Sequence, residues 1–301
     1  MTLHAIVSTL GGDLYCGGRR ANIPAPGHSA SDRSVSLLLS GDRLVIHCFG
    51  GADWRTVRAC LEARGLVGRT GRITSPPGAV PGRAAPRPDR PMRIAAARRL
   101  WDGAIPISPA SLSRRHLMSR AIRQDPSAID ALRHHPAAPV SAYRGGGSTQ
   151  PALVAAITAP DGALTAVELT YLTPAGQRDE RLWAPRKTVG AVPRGSAVRL
   201  ASASPDLVVG EGVMTVLSAS DRFGLLAWAL LSAHNLSLWT PPPGVSRVII
   251  AADRGRAGEA AAARLRARLT SAGLDAAVRP PPAGAEDWNA FAMAERVKEG
   301  G

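Results

Sequence analysis

The run VVGEGVMTVLSAS, residues 208–220, decides how the chain is read. Small apolar residues lead to Gly210, Glu211 stands alone before a second glycine, and a helical apolar pattern begins at Val213. Further along, RVIIAADRGRAG (247–258) repeats the arrangement with Asp253 as the delivered acid. Around these runs the sequence predicts strand 207–210, helices 212–220 and 223–232, strand 247–252, helix 256–272 and strand 275–279. That alternation is the βα pattern of a parallel sheet. Ligands of open α/β sheets gather outside the C-terminal ends of the strands, where both acids would stand. Two carboxylates there suit Mg²⁺ or Mn²⁺, hard ions that take oxygen ligands and polarise phosphoryl oxygens. The competing reading is that each acid caps the helix behind it.

Two neighbouring stretches extend the candidate site. In DRGRAGEAAAARLRARL (253–269), Gly255 and Gly258 permit a tight turn, and the following helix would aim N–H groups at an anion beside Arg254 and Arg256. In GAEDWNAFAMAE (284–295), Asp287 and Asn289 either return to the same edge or start the last helix.

Composition sets the partner class. The 301-residue chain has room for two or three modest domains, and a hydrophobic content of 45% supports a packed core. Its formal charge is +14, and all of its 37 basic residues except Lys187 and Lys298 are arginine. Such a surface attracts polyanions, and the guanidinium fork fits phosphate. Aromatics are only 4%, so single-stranded DNA would be held more by arginine than by base stacking. Cys16, Cys48 and Cys60 are odd in number and widely spaced, which implies no disulfide framework and fits a reducing cytosol. No charged-then-apolar leader is visible, and no apolar run reaches the ~18 residues that cross a bilayer. FGLLAWALLSAHNL (223–236) reads as a buried helix. A cytoplasmic protein with no membrane partner is expected.

Upstream, SVSLLLSGDRLVIHCF (34–49) reads as two strands joined at Ser40-Gly41-Asp42. DWRTVRACLEARGLV (53–67) is a helix capped by Asp53. Residues 69–92 are dense in Pro, Gly and Arg and read as a linker. Helices are predicted in RIAAARRLWDGA (93–104) and SPASLSRRHLMSRAI (108–122), and a loop over 134–150. PALVAAITAPDGALTAVELTYLTPAG (151–176) is a hairpin turning at Pro160-Asp161-Gly162. Short strands follow in WAPRKTVGAVPRGSAVRLA (183–201).

These residues carry a resemblance. GEGVMTVLSA (210–219) resembles the glutamate motif of the Toprim domain, and IIAADRGRAGEAAAARL (249–265) its aspartate motif, usually D-x-D-x-x-G. DWN (287–289) resembles a segment of primase-like members. RLW (99–101), the hairpin, RKTVG (186–190) and AVRL (197–200) resemble the region before Toprim in phage- and plasmid-type primases. IPAPGHSASDRSVSLLLSGDRLVIHCFGGADW (23–54) is similar to the CHC2-type zinc ribbon that opens such primases.

The resemblance implies an α/β chain in four parts. A ribbon-like β module spans 1–68, a linker 69–92, a small α+β middle domain 93–203, and a Rossmann-like Toprim sheet 204–301. It implies Glu211 and Asp253 as catalytic and metal-linked acids, Asp287 as a further metal residue, and Lys187, Arg254, Arg256 and Gly258 as phosphate or DNA contacts. In the ribbon only His28 and Cys48 match zinc-ligand places. Positions near Ile23 or Pro24 and at Ala52 or Asp53 hold no matching ligand, so zinc is not expected unless Cys16 folds back. The ribbon would then touch DNA through Arg19, Arg20, Arg33 and His28. The second aspartate of D-x-D is replaced by Gly255.

Three functions stay open on this evidence. One is primase-like, Mg²⁺- or Mn²⁺-dependent nucleotidyl transfer on single-stranded DNA with nucleotides, in a phage or mobile element. Another is a catalytically degenerate module that binds DNA or recruits a helicase. The third is a Toprim nuclease. The sequence contains no G-x-x-x-x-G-K-[ST], so a separate helicase partner is expected.

Overall fold

The computed structural model describes residues 3–26, 33–48, 53–74, 88–143, 148–182 and 184–299. The chain divides into two compact units, Met1–Arg87 and Pro88–Gly301.

In the first unit, helix α1 (His4–Leu10) precedes strands β1 (Asp13–Tyr15), β2 (Arg20–Ile23), β3 (Val35–Ser40) and β4 (Arg43–Cys48), followed by α2 (Trp54–Ala63). The strands form an antiparallel meander in sequence order. Alternation in β3 buries Val35, Leu37 and Leu39, which pack with Val57 and Leu61 of α2. The Asp53 carboxylate accepts from the Arg55 N–H and caps α2, as expected. His28 and Ala52 lie outside the described residues. Cys48 pairs with Val35 at one end of the sheet, whereas Cys16 follows the Tyr15–Arg20 pair at the other. Three strand residues separate those ends on β3, roughly 10 Å, so the fold does not bring Cys16 back to Cys48.

In the second unit, α3 (Arg90–Asp102) and α4 (Leu112–Ser119) lead into strands β5 (Leu132–Pro139), β6 (Thr149–Thr158), β7 (Leu164–Tyr171) and β8 (Arg186–Gly190). These form an antiparallel sheet in sequence order. β5 replaces much of the loop expected over 134–150. Its prolines are tolerated because it is an edge strand with a bulge between His135 and Ala138. The sheet is apolar on both faces. Ala152, Val154, Val167, Leu169 and Val189 pack against α3. Leu153, Ala155, Ile157 and Ala166 face the C-terminal sheet.

That C-terminal sheet comprises β9 (Val198–Arg199), β10 (Asp206–Gly210), β11 (Ala227–Ala229), β12 (Arg247–Ala251) and β13 (Asp275–Arg279). Its order is β13-β12-β10-β11-β9, parallel except at β9. Helix α5 (Val213–Phe223) follows β10, α6 (Ala233–Leu238) follows β11, α7 (Arg256–Ser271) follows β12, and α8 (Trp288–Glu299) closes the chain. The helix expected over 223–232 is not formed. Gly224, at φ 67°, ends α5 in the left-handed conformation, and Ala227–Ala229 inserts as a buried strand. A short buried strand and a buried helix segment have the same apolar composition, so the run alone did not separate them. No described helix is long and apolar enough to cross a membrane.

Gly210 is where packing is tightest beside the site. A Cβ there would lie 2.8 Å from both the Ala251 carbonyl oxygen and Val216 Cγ1. Gly210→Ala is therefore expected to cost about 1–3 kcal/mol, measured by urea unfolding. An unchanged midpoint would show that β10, β12 and α5 are not packed this closely.

Candidate active site: two acids beside an arginine-lined cleft

The parallel pairing of β10 with β12 sets Gly210 opposite Ala251. Glu211 leaves β10 one residue later and Asp253 leaves β12 two residues later, at the same sheet edge. Each acid is held differently. Glu211 accepts a hydrogen bond from the Ala233 backbone N–H, and burial raises its carboxyl above the ordinary range. The turn that aims that N–H passes through Leu231, at φ 73°, whose own N–H bonds to the Glu211 carbonyl at 2.8 Å. Positive φ is unusual for leucine and is found where surrounding structure enforces it.

Asp253 has no such donor. Its buried Oδ1 has no hydrogen-bond partner among the described residues. Burial pushes the carboxyl up to about 6, Glu211 and Asp287 push in the same direction, and Arg186 opposes them. Asp287 acts electrostatically on Asp253 and also caps α8, its Oδ1 accepting from the Ala290 N–H at 2.6 Å. The two readings left open for Asp287 therefore hold together. Among the described residues no three acid, histidine or cysteine side chains converge as a ready-made metal cage.

A cleft of about 530 Å³ opens between the face of β6–β8, the C-terminal end of α4 and the N-terminal turn of α5, with Asp287 in its wall. Arg120, Arg178 and Arg186 line it. Arg178 is paired with Glu180, and Arg120 lies under the influence of Asp287. His116, on the same wall, is pushed down to about 4, chiefly by burial, and its Nδ1 lies 3.1 Å from the Gly176 carbonyl. That nitrogen donates, and the lowered pKa leaves the ring neutral at pH 7 with Nε2 as its acceptor. Glu211 and Asp253 stand outside the lining of this cleft, which reaches Gly212 and Val213 at the start of α5; a second groove, about 560 Å³, runs between α4, α5 and α8 and includes neither acid.

This geometry coincides with a known family. Residues 206–296 match the Toprim domain, and residues 91–200 match a domain of unknown function, DUF7146. Strands β10 to β13 and helices α5 to α8 make up the Toprim domain, and β9 belongs to the preceding matched region. No curated protein matches the chain. Among solved structures, the chain is similar to the primase fragment of the bacteriophage T7 primase-helicase protein at TM-score 0.42 and 14% identity, over 92% of this chain and 96% of that one. It is similar to the Aquifex aeolicus primase, zinc-binding and RNA polymerase domains, at 0.44 and 16%, over 99% and 82%. A DnaG primase catalytic domain bound to single-stranded DNA aligns at 0.45 and 17%, over 68% and 80%.

The remaining candidate residues distribute unevenly around the Toprim acids. Gly258, buried in the first turn of α7, is a spacer: a Cβ there would lie 2.7 Å from the Asp253 carbonyl oxygen and 3.3 Å from Glu211 Oε1. Gly255, where the second motif acid would stand, has φ 110°. Arg254 donates to the Pro281 carbonyl at 2.6 Å, and the guanidinium that acts on Asp253 is that of Arg186. Arg256 is exposed at the start of α7. Lys187 pairs with Leu169 and shares the α3-facing side of the sheet, where it donates to the Val140 carbonyl above the Tyr171 ring. Burial pushes it down to about 8. Strand periodicity places its neighbour Arg186 on the opposite face, toward the acids. Arg120, Arg178, Arg186 and Glu168 were not picked out from sequence; only the face parity of β7 and β8, fixed by pairing, would have marked the last two.

The Asp253 shift has a measurable consequence. An unfolded aspartate releases its proton near pH ~3.9, well below the folded value of about 6. Between those values the unfolded chain binds fewer protons than the folded one, so stability falls as pH rises through that window. Asp253→Asn should flatten this slope and, after discounting for solvent screening of a partly exposed group, stabilise the metal-free protein at pH 7 by about 1 kcal/mol. Parallel thermal melts at pH 4 and pH 7 check it. An Asn variant less stable than wild type at pH 7 would refute the assignment.

Proposed function

We propose that this protein is a primase-like enzyme of DNA replication that performs metal-dependent nucleotidyl transfer on single-stranded DNA. The observation that carries the proposal is Asp253. An acid with a buried, unpartnered oxygen, destabilised chiefly by burial and further by the charges of Glu211 and Asp287, is held at a cost to stability. A divalent cation bound by oxygen ligands would relieve it. Glu211 and Asp253 fit as its holders, with Asp287 adjacent and water or phosphate oxygens completing a shell the protein leaves open. When bound, such an ion supplies Lewis-acid stabilisation of phosphoryl charge.

The chain's own residues supply the rest. Arg120 and Arg186 offer fixed positive charge to phosphate oxygens along the cleft. Glu211 is oriented by the hydrogen bond it accepts from the Ala233 N–H. Gly258 leaves room for both acids at the mouth of α7. The excess of arginine over the whole chain supports a DNA template as the partner, bound in a salt-sensitive manner. The primase-type motifs flanking the Toprim domain favour synthesis over cleavage. A cytoplasmic setting, a separate helicase and a mobile-element origin belong to the same reading.

One observation favours a second reading, a binding module without chemistry: the D-x-D position that would supply another acid is Gly255. Primer synthesis on single-stranded DNA with labelled nucleotides and Mg²⁺ or Mn²⁺ separates the two. Synthesis is expected, reduced at least 100-fold in Glu211→Gln, with DNA affinity changed little. Retained salt-sensitive DNA binding with no synthesis under any metal would establish the binding module.

A further inference from the structure

One carboxylate in the cleft is used neither by the Toprim edge nor by the ion pairs of its walls. Glu168 lies mid-strand in β7, between Ala155 of β6 and Thr188 of β8. Its side chain shares the cleft face with Thr170 and Arg186. It accepts no hydrogen bond from any described residue, although Arg186 is close enough to act on it electrostatically. The other acids of the cleft are engaged: Glu180 is paired with Arg178, and Asp287 caps α8. Partly buried carboxylates are ordinarily given donors, and one left open toward a cavity is an acceptor in wait of a ligand.

The chemistry of that ligand follows from what surrounds Glu168. Arginines suit phosphate oxygens, which carry no donor for a carboxylate and are repelled by it. A molecule that satisfies both walls therefore needs an anionic end and, some distance away, an N–H or O–H. Leu153, Ala155 and Met214 add apolar surface to the same lining, suited to a sugar or base rather than to a second phosphate. Nucleotides combine these features, and carboxylates are known acceptors for sugar hydroxyls and for base amino groups.

We propose that Glu168 reads the nucleoside half of a nucleoside triphosphate in this cleft, accepting a hydrogen bond from its sugar hydroxyl or base amino group while Arg120 and Arg186 hold the phosphates. The proposal rests on the nucleotide-handling reading of the site and adds the residue that sets which nucleotide is preferred. Glu168 is a specificity residue here and takes no part in bond making.

Equilibrium binding to the full chain tests it without requiring turnover. The probes are the four ribonucleoside triphosphates, their 2′-deoxy counterparts and inorganic triphosphate, against wild type, Glu168→Gln and Glu168→Ala. Wild type should prefer some nucleoside triphosphates to inorganic triphosphate, and Glu168→Ala should lose about tenfold of that preference, the worth of one charge-assisted hydrogen bond. Affinity for inorganic triphosphate should hold or tighten, because a negative charge has left the cleft. A fall in the ribo-to-deoxy ratio identifies the sugar hydroxyl as donor; a fall in discrimination among bases identifies the amino group. Glu168→Gln, near in shape, guards against loss of fold and should lie between the other two. Unchanged preference in both variants overturns the role of Glu168 while leaving the cleft's phosphate site intact. A wild type that binds none of the probes overturns the nucleotide reading of the cleft and this proposal with it.

Discussion

The parallel pairing of β10 with β12, with Gly210 opposite Ala251, is the constraint on which the site depends. It places two strand ends side by side, so the residues that leave them emerge as neighbours. Glycine at 210 keeps the backbones close enough for α5 to start directly behind the first acid. A shift of one residue in that pairing would move Glu211 by ~3.3 Å along the strands relative to Asp253 and turn one of them to the other side of the sheet. The two acids repel each other, and folding accepts that repulsion because the hydrophobic contacts of β10, β12 and α5 outweigh it. Electrostatic strain at the edge is thus maintained by packing beneath it.

The second half of the site comes from a different sheet. The apolar side of β6 and β7 packs into the core that also contains Val208, Val213 and Leu217, and the polar residues of the same face then border the cleft. Arg186 acts on Asp253 from the face of this sheet turned to the cleft, while α3 covers the other face. Acids from one sheet and guanidinium groups from the other complement each other: the former suit a cation, the latter the phosphate oxygens that would share it.

Much of the Toprim domain was legible because β10 and β12 are short apolar runs ended by a glycine or an acid and followed by a helical period. Strand β13 falls on the residues read for it, and β12 and α7 lie within one residue of theirs. The failures have physical causes. Residues 225–231 are apolar throughout because β11 is buried on both faces, which erases the alternation that distinguishes strand from helix. β5 carries two prolines and looks like loop, yet an edge strand needs fewer of its own N–H groups for pairing. The acids of the site were visible because an ionisable residue breaks an apolar run. Its basic half was hidden in β8, where adjacent Arg186 and Lys187 differ only in face, and face is decided by the pairing of β7 with β8. Glu168 sits among apolar residues of both faces and gives no periodic signal.

A single centre that binds cation and phosphate together can be tested by titrating Mn²⁺ by electron paramagnetic resonance, with and without a nucleoside triphosphate. One Mn²⁺ per chain is expected, bound more tightly when the triphosphate is present than Mn²⁺ binds to either component alone, and lost in Asp253→Asn. Thermodynamic linkage requires the triphosphate to bind more tightly by the same factor when Mn²⁺ is present. Mn²⁺ that binds the chain independently of triphosphate, or equally well in Asp253→Asn, would contradict a shared centre at this strand edge.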